Sequence, residues 1–259
     1  MPTLEANGIN INYRIDGADD APPLVLSNSL GTNLHMWDNQ VPELAKRFRV
    51  IRYDTRGHGK TDAPQGPYTF AQLGEDAIAL LDALKLPRIR FCGLSMGGMI
   101  GMWLARHAPS RIERLVLCNT AAKFGMPEIW NQRIATVRAS GMKAITGSVI
   151  ERWFTKDFRE SSPQEIDPIV EMLHTTKAEG YAGNCAAIRD VDQRWPISGI
   201  TAPTLVIGGK HDPATPYEAA ELIASRIPGA KLAGLDAAHL SNIEQPEAFS
   251  RALNDFLKG

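Results

Sequence analysis

The segment Gly93-Leu94-Ser95-Met96-Gly97 constrains this chain more than any other, because it joins an apolar run, Arg88 to Cys92, to a small-residue, helix-compatible stretch from Gly98 to Ala108. A strand-to-helix turn this tight holds its central residue at strained backbone angles, and side chains on the flanking positions would strike the neighbouring strand and helix, so glycine belongs there. Ser95 then stands exposed at the tip of the turn. The backbone N–H of Met96 opens the helix and points, with the positive end of its dipole, at any oxyanion formed beside Ser95. A G-x-S-x-G segment also occurs as a plain glycine-rich turn, so the nucleophile reading depends on what accompanies it.

A serine nucleophile needs a base, and the base needs an orienting acid. Of the six histidines, only His239 follows a late strand-like segment, Ala230 to Leu235, and precedes a helix-compatible tail. The preceding strand, Thr204-Leu205-Val206-Ile207-Gly208-Gly209, runs into Lys210-His211-Asp212-Pro213, which makes Asp212 the acid. His211 reads as a loop residue whose side chain projects elsewhere. Asp236 would share a loop with His239 instead of bracing the ring from across the site, and Asn119, after the earlier strand Leu115 to Asn119, has no carboxylate. The order Ser95, Asp212, His239 is imposed by one α/β architecture and is not shared by chymotrypsin-like or subtilisin-like proteases.

The rest of the chain fits one α/β unit. Asn7-Gly8 joins Thr3–Ala6 to the alternating Ile9-Asn10-Ile11-Asn12-Tyr13, the signal of an antiparallel hairpin at a sheet edge. Near-continuous apolar runs at Pro23 to Asn28, Phe48 to Asp54, Ile89 to Cys92, Leu115 to Asn119, Thr204 to Gly208 and Lys231 to Leu235 suit parallel strands buried on both faces. Helical spacing separates them, as at Leu73, Ala77, Leu80, Leu81 and Leu84; Thr215-Pro216 reads as N-cap and first position of a further helix, and a last helix runs from about Pro246 to Leu257. Between Ala121 and Trp195 strands give way to amphipathic helices rich in Arg, Trp and Met. The predicted organisation is a core in two parts, 1–120 and 196–259, with a helical cap at 121–195 over the carboxyl ends of the strands, where open α/β sheets hold ligands.

Composition narrows the partners. The 28 basic and 29 acidic residues leave a net charge of −1 with no long run of either sign, which argues against nucleic acid or an anionic membrane. No stretch approaches the ~20 apolar residues of a membrane span, and the first residues lack a basic start followed by an apolar run, so the expectation is a cytoplasmic protein. Cys92, Cys118 and Cys185 lack metal-ligand spacing, and no metal or organic cofactor is expected.

The loop Ser27-Asn28-Ser29-Leu30-Gly31-Thr32 with Met36-Trp37-Asp38, the turn Tyr53-Asp54-Thr55-Arg56-Gly57-His58-Gly59, the elbow, Gly209-Lys210-His211-Asp212 and Ala237-Ala238-His239-Leu240-Ser241-Asn242-Ile243-Glu244 together carry a resemblance. Along nearly its whole length the chain resembles the α/β-hydrolases, and more narrowly the 3-oxoadipate enol-lactonases of aromatic-acid degradation. Their fold, a mostly parallel sheet flanked by helices with a cap inserted before the late strands, is the one expected here. The Ser-Asn-Ser-Leu-Gly-Thr segment is the narrower signal, since many relatives have His-Gly there. The resemblance implies a second oxyanion donor in this loop, Ser29 or its neighbour Leu30, with the register of the His-Gly relatives favouring Ser29. His58 reads as a structural hydrogen-bonding residue.

An enol-lactone with a free acetate arm would need a cation in its pocket, and cap arginines, with their planar forks, are the natural source. Arg133 and Arg138 are the candidates; Trp130 lies one turn from Arg133 and, with Trp153, could wall the site. The rivals share the triad: a carboxylesterase, another lactonase or a carbon–carbon bond hydrolase would differ in pocket shape, and a ligand-binding receptor could keep the fold with little turnover. Dehalogenase chemistry would require aspartate at position 95.

Overall fold

The computed structural model describes residues 2–258. Its sheet has eight strands in the order β1-β2-β4-β3-β5-β6-β7-β8, with β1 Thr3–Ala6, β2 Ile9–Asp16, β3 Pro23–Ser27, β4 Arg49–Tyr53, β5 Ile89–Leu94, β6 Ile112–Cys118, β7 Thr204–Gly209 and β8 Lys231–Leu235. The β1–β2 hairpin turns at Asn7 and Gly8, both with positive φ (50° and 73°), as a two-residue turn matched to strand twist requires. β2 pairs antiparallel with β4, and every later pairing is parallel. β3 has β4 on one side and β5 on the other, so the chain changes winding direction beside β3 and opens a crevice at the carboxyl ends of β3 and β5.

The inner parallel strands are buried on both faces because their side chains are apolar in runs: Leu24, Val25, Leu26, Val50, Ile51, Phe91 and Leu115 to Leu117 are all buried, whereas β8, expected to be buried likewise, lies at the sheet edge and is mostly exposed, only Leu235 being buried. Some strands extend beyond their sequence signals. β2 continues to Asp16 through its pairing with β4, and β6 begins at Ile112, where pairing with Ile89 crosses a register shift.

Helix α1 is a single turn, Val41–Leu44, and α2 is Phe70–Ala83. Thr69 and Gln72 form a reciprocal capping box at the start of α2, and its Leu73, Ala77, Leu80 and Leu81 are buried. α3, Met96–His107, follows the elbow directly. Five helices, α4 Pro127–Ser140, α5 Lys143–Trp153, α6 Lys156–Ser161, α7 Pro163–Thr175 and α8 Ala178–Asp190, lie between β6 and β7. α9 Tyr217–Arg226, α10 Ser241–Glu244 and α11 Pro246–Leu257 complete the chain.

α8 meets the core backbone to backbone. A side chain placed on Gly57 would lie 2.6 Å from Cα of Gly180, and one on Gly180 would lie 2.5 Å from Cα of Gly57. Asn184, one turn further along α8, donates to the Arg56 carbonyl at 2.8 Å. One helix start differs from its sequence signal. α9 begins at Tyr217 and not at Pro216, and the Thr215 hydroxyl caps no N–H of the helix but donates to Asp212 at 2.5 Å. Among the described residues no helix is long and apolar enough to cross a membrane.

Candidate active site

Ser95 sits at the join of β5 and α3 with φ 57° and ψ −114°, a conformation that non-glycine residues seldom adopt. Three hydrogen bonds hold it there. Its N–H donates to the Cys118 carbonyl at 2.9 Å, and its carbonyl accepts from the Thr120 hydroxyl at 2.7 Å and from Met99 N–H at 3.1 Å. The flanking glycines are sterically required: a Cβ on Gly93 would run into the Gly97 carbonyl oxygen, and one on Gly97 would lie 2.5 Å from the Ser27 carbonyl carbon.

Asp212 accepts the His239 Nδ1–H at 2.8 Å on Oδ2, together with the Thr215 hydroxyl at 2.5 Å and Asn119 Nδ2 at 3.2 Å. Its other oxygen accepts Ala214 N–H at 2.8 Å and Thr215 N–H at 2.9 Å. Burial would raise this carboxyl, but the charge interaction with His239 and the hydrogen bonds from His239 and Thr215 outweigh it and hold the group below the ordinary carboxylate range. An ionised Asp212 fixes the proton on Nδ1, leaving Nε2 as the basic nitrogen. Among the described residues Ser95 Oγ makes no hydrogen bond, so its hydroxyl is uncommitted; such bonds often tighten only with substrate in place.

The rejected acids have other partners. Asp236 pairs at the surface with His211, Oδ1 to Nε2 at 2.6 Å. Asn119, with φ 42°, braces the site by donating to Asp212 and to the Ala238 carbonyl at 3.0 Å while accepting the Ser241 hydroxyl at 2.5 Å.

Ser29 N–H, the donor that the register with His-Gly relatives favours, is already engaged. Ser29 N–H points at Met36 Sδ, 3.3 Å away, because the turn closed by Thr32, whose hydroxyl reaches both the Ser29 carbonyl and the same sulfur, rotates it inward. Leu30 N–H and Met96 N–H have no acceptor among the described residues, and Leu30 borders the cavity. The free donors are thus Leu30 and Met96. His58 shapes this loop from behind: its Nε2 accepts Gly31 N–H at 2.8 Å, its Nδ1 lies 3.3 Å from the Arg56 carbonyl, and burial pushes its pKa down to about 4.

Ser95 and His239 open onto a cavity of about 240 Å³ whose walls include Ser29, Leu30, Phe124, Ile129, Trp130, Arg133, Arg152, Trp153, Tyr181 and Ile188. A space of this size suits a small metabolite. Arg133 lies over the Trp130 ring, 5.3 Å from its centroid, and donates to the Tyr181 hydroxyl at 3.4 Å. Trp153 stacks near His239, with ring centroids 6.1 Å apart at 28°. Arg138 is absent from the cavity. On α4 it lies five residues from Arg133, on another face, and forms a surface pair with Glu179 at 3.1 Å.

Arg152 takes the place that the sequence offered to Arg138. Burial lowers its pKa and the nearby Arg133 charge lowers it further, and among the described residues neither arginine has a carboxylate partner. The one available signal for it was its place three residues after Val149, flanking the buried stripe Ile145, Val149 and Trp153. Two guanidinium groups without a carboxylate partner therefore line one small cavity beside Ser95. Among the described residues no group of three or more His, Cys, Asp or Glu side chains is arranged to hold a metal.

Residues 22–246 match the family model described as an alpha/beta hydrolase fold. The chain is 43% identical over 256 residues to 3-oxoadipate enol-lactonase 2 of Acinetobacter baylyi, covering 99% of this chain and 96% of that one, and 38% identical to 3-oxoadipate enol-lactonase 1 of the same organism over 97% and 94%. The crystal structure of the enol-lactonase from Burkholderia xenovorans is 49% identical and superposes with a TM-score of 0.98, covering all of both chains.

Proposed function

The chain belongs to the α/β-hydrolase family, and from that premise we propose that it is a serine hydrolase that opens the ring ester of 3-oxoadipate enol-lactone to give 3-oxoadipate. The observation that supports this reading is the pair of guanidinium groups, Arg133 and Arg152, that have no carboxylate partner among the described residues and line the cavity holding Ser95 and His239. A neutral ester gives those charges nothing to bind; a lactone with a free carboxylate gives them a bidentate ligand.

Ser95 Oγ adds to the lactone carbonyl carbon as His239 Nε2 takes its proton, and Asp212 stabilises the imidazolium. The tetrahedral oxyanion is met by the N–H groups of Leu30 and Met96, each worth about 3 kcal/mol in such sites. Collapse re-forms the carbonyl and breaks its bond to the ring oxygen, which leaves as an enol and takes the proton from His239. That oxygen remains attached through the carbon chain, so the acyl-enzyme carries the opened ring. Water, deprotonated by His239, then adds to the acyl carbon, Ser95 leaves with that proton, and the enol product tautomerises to the ketone. The helices α4 to α8 act in this reading as a cap that carries the anion-binding arginines.

The test is loss of the enol-lactone's ultraviolet absorbance with purified protein, beside a neutral short-chain p-nitrophenyl ester and a Ser95→Ala control. Fast, Ser95-dependent loss of the lactone with a much slower ester reaction is the expected result. The opposite ranking would make the protein a general carboxylesterase.

A further inference from the structure

His239 stands between two residues whose backbone N–H groups are both tied to the helices inserted between β6 and β7. Leu240 N–H donates to the carbonyl of Trp153, the last residue of α5, at 3.0 Å. Ala238 N–H donates to Glu244 Oε2 at 2.9 Å, and the same carboxylate accepts the N–H of Thr155 at 3.4 Å and the Thr155 hydroxyl. Thr155 in turn caps α6, accepting Phe158 N–H at 3.3 Å. Glu244 is only 7% exposed. A carboxylate this buried is costly unless its oxygens find donors, and here the donors come from two segments distant in sequence, so the charge fastens one to the other. The hydrolytic steps make no use of Glu244, although it closes the motif that begins at Ala237.

We propose that Glu244 is a positioning residue that couples the alignment of His239 to the seating of α5 and α6. The loop 238–240 is fixed on both sides by the three-residue segment 153–155: directly at Leu240, and through Glu244 at Ala238. The same segment carries the Trp153 ring that lies beside the imidazole. No proton passes through Glu244; it acts on the distance and angle at which His239 meets Ser95, to which rate is steeply sensitive.

The proposal rests on the reading of Ser95, Asp212 and His239 as the reacting groups, and its test is arranged so that the two can fail separately. Turnover is followed on the p-nitrophenyl ester, and the low-field proton resonance of His239 Nδ1–H, bonded to Asp212, is followed independently of turnover by NMR. Glu244→Ala is expected to lower kcat by roughly 10- to 100-fold with KM nearly unchanged, and to broaden or shift that resonance. Glu244→Gln should recover most of both, because its carbonyl can accept the two N–H groups while its amide donates to the Thr155 oxygen. Thr155→Val, on the far side of the link, should lower kcat in the same direction, and the double variant should lose less than the product of the single losses.

Wild-type kcat with an unaltered resonance in Glu244→Ala would overturn the proposal, as would a loss confined to KM. Should that variant fail to fold, the same result in Thr155→Val would overturn it equally. A wild-type protein inactive on every ester would reject the hydrolase reading, while the resonance would still decide the role of Glu244.

Discussion

A serine hydroxyl is a weak nucleophile in water, and what separates Ser95 from the other serines is its backbone angle and its neighbours. Ser95→Ala should lower turnover at least about 1,000-fold, with circular dichroism unchanged, since residues acting as a unit lose nearly all their effect together. Arg133→Ala and Arg152→Ala should each raise KM about 10-fold or more on the acidic lactone and leave KM on the p-nitrophenyl ester within about two-fold, as expected when a charge-assisted bond to one substrate alone is lost. Equal effects on both substrates would assign the arginines to packing. His58 makes a prediction about pH. Its pKa falls from 6.5 when unfolded to about 4 in the fold, so the unfolded chain binds the extra proton between those values and stability drops as pH falls through that window. By pH 5 the loss should be about 2 kcal/mol, and His58→Gln, which keeps an acceptor for Gly31 N–H, should remove that part of the slope in urea titrations at pH 7 and pH 5. The meeting of Ser95, Asp212 and His239 at one place was legible in the sequence because each follows a strand-like run. Which N–H of the loop after β3 stays free was not, because it depends on Met36, seven residues from Ser29, capturing one of them.

At the scale of elements, the elbow between β5 and α3 is the most tightly specified join. Gly97→Ala would force its methyl onto the Ser27 backbone, and the expected cost is about 3 kcal/mol or more, visible as a lowered thermal midpoint with activity lost in proportion. The inner parallel strands could be read because burial on both faces makes their sequences apolar in runs, whereas the exposure of β8 at the sheet edge and ends such as Asp16 and Ile112 are set by the neighbouring strands and leave little trace in local composition. α9 starts one residue beyond its sequence signal. Thr215 has the chemistry of a cap, but its hydroxyl points to the Asp212 carboxylate, to which it donates, and caps no N–H of the helix. Among the inserted helices Arg133 and Arg138 were equivalent in type, and only the packing of α4 against α8 sends one into the cavity and the other to Glu179.

For the whole molecule, the near-balance of charge leaves binding to the local field of the cavity, where two cations share one small volume. The core and the inserted helices meet at Gly57 and Gly180, and Gly180→Ala should destabilise the protein by about 2 kcal/mol through overpacking and increase proteolytic cutting within 121–195. A normal midpoint with unchanged protease resistance would show that the interface can give. Neither glycine can be exchanged for a larger residue while the other backbone stays where it is, so a change at either position is harmful and no change at the other compensates it. A graft of these helices onto another hydrolase core would therefore succeed only where the recipient's turn already offers glycine opposite α8, which makes the pair a practical criterion for choosing donors in chimaeric enzymes.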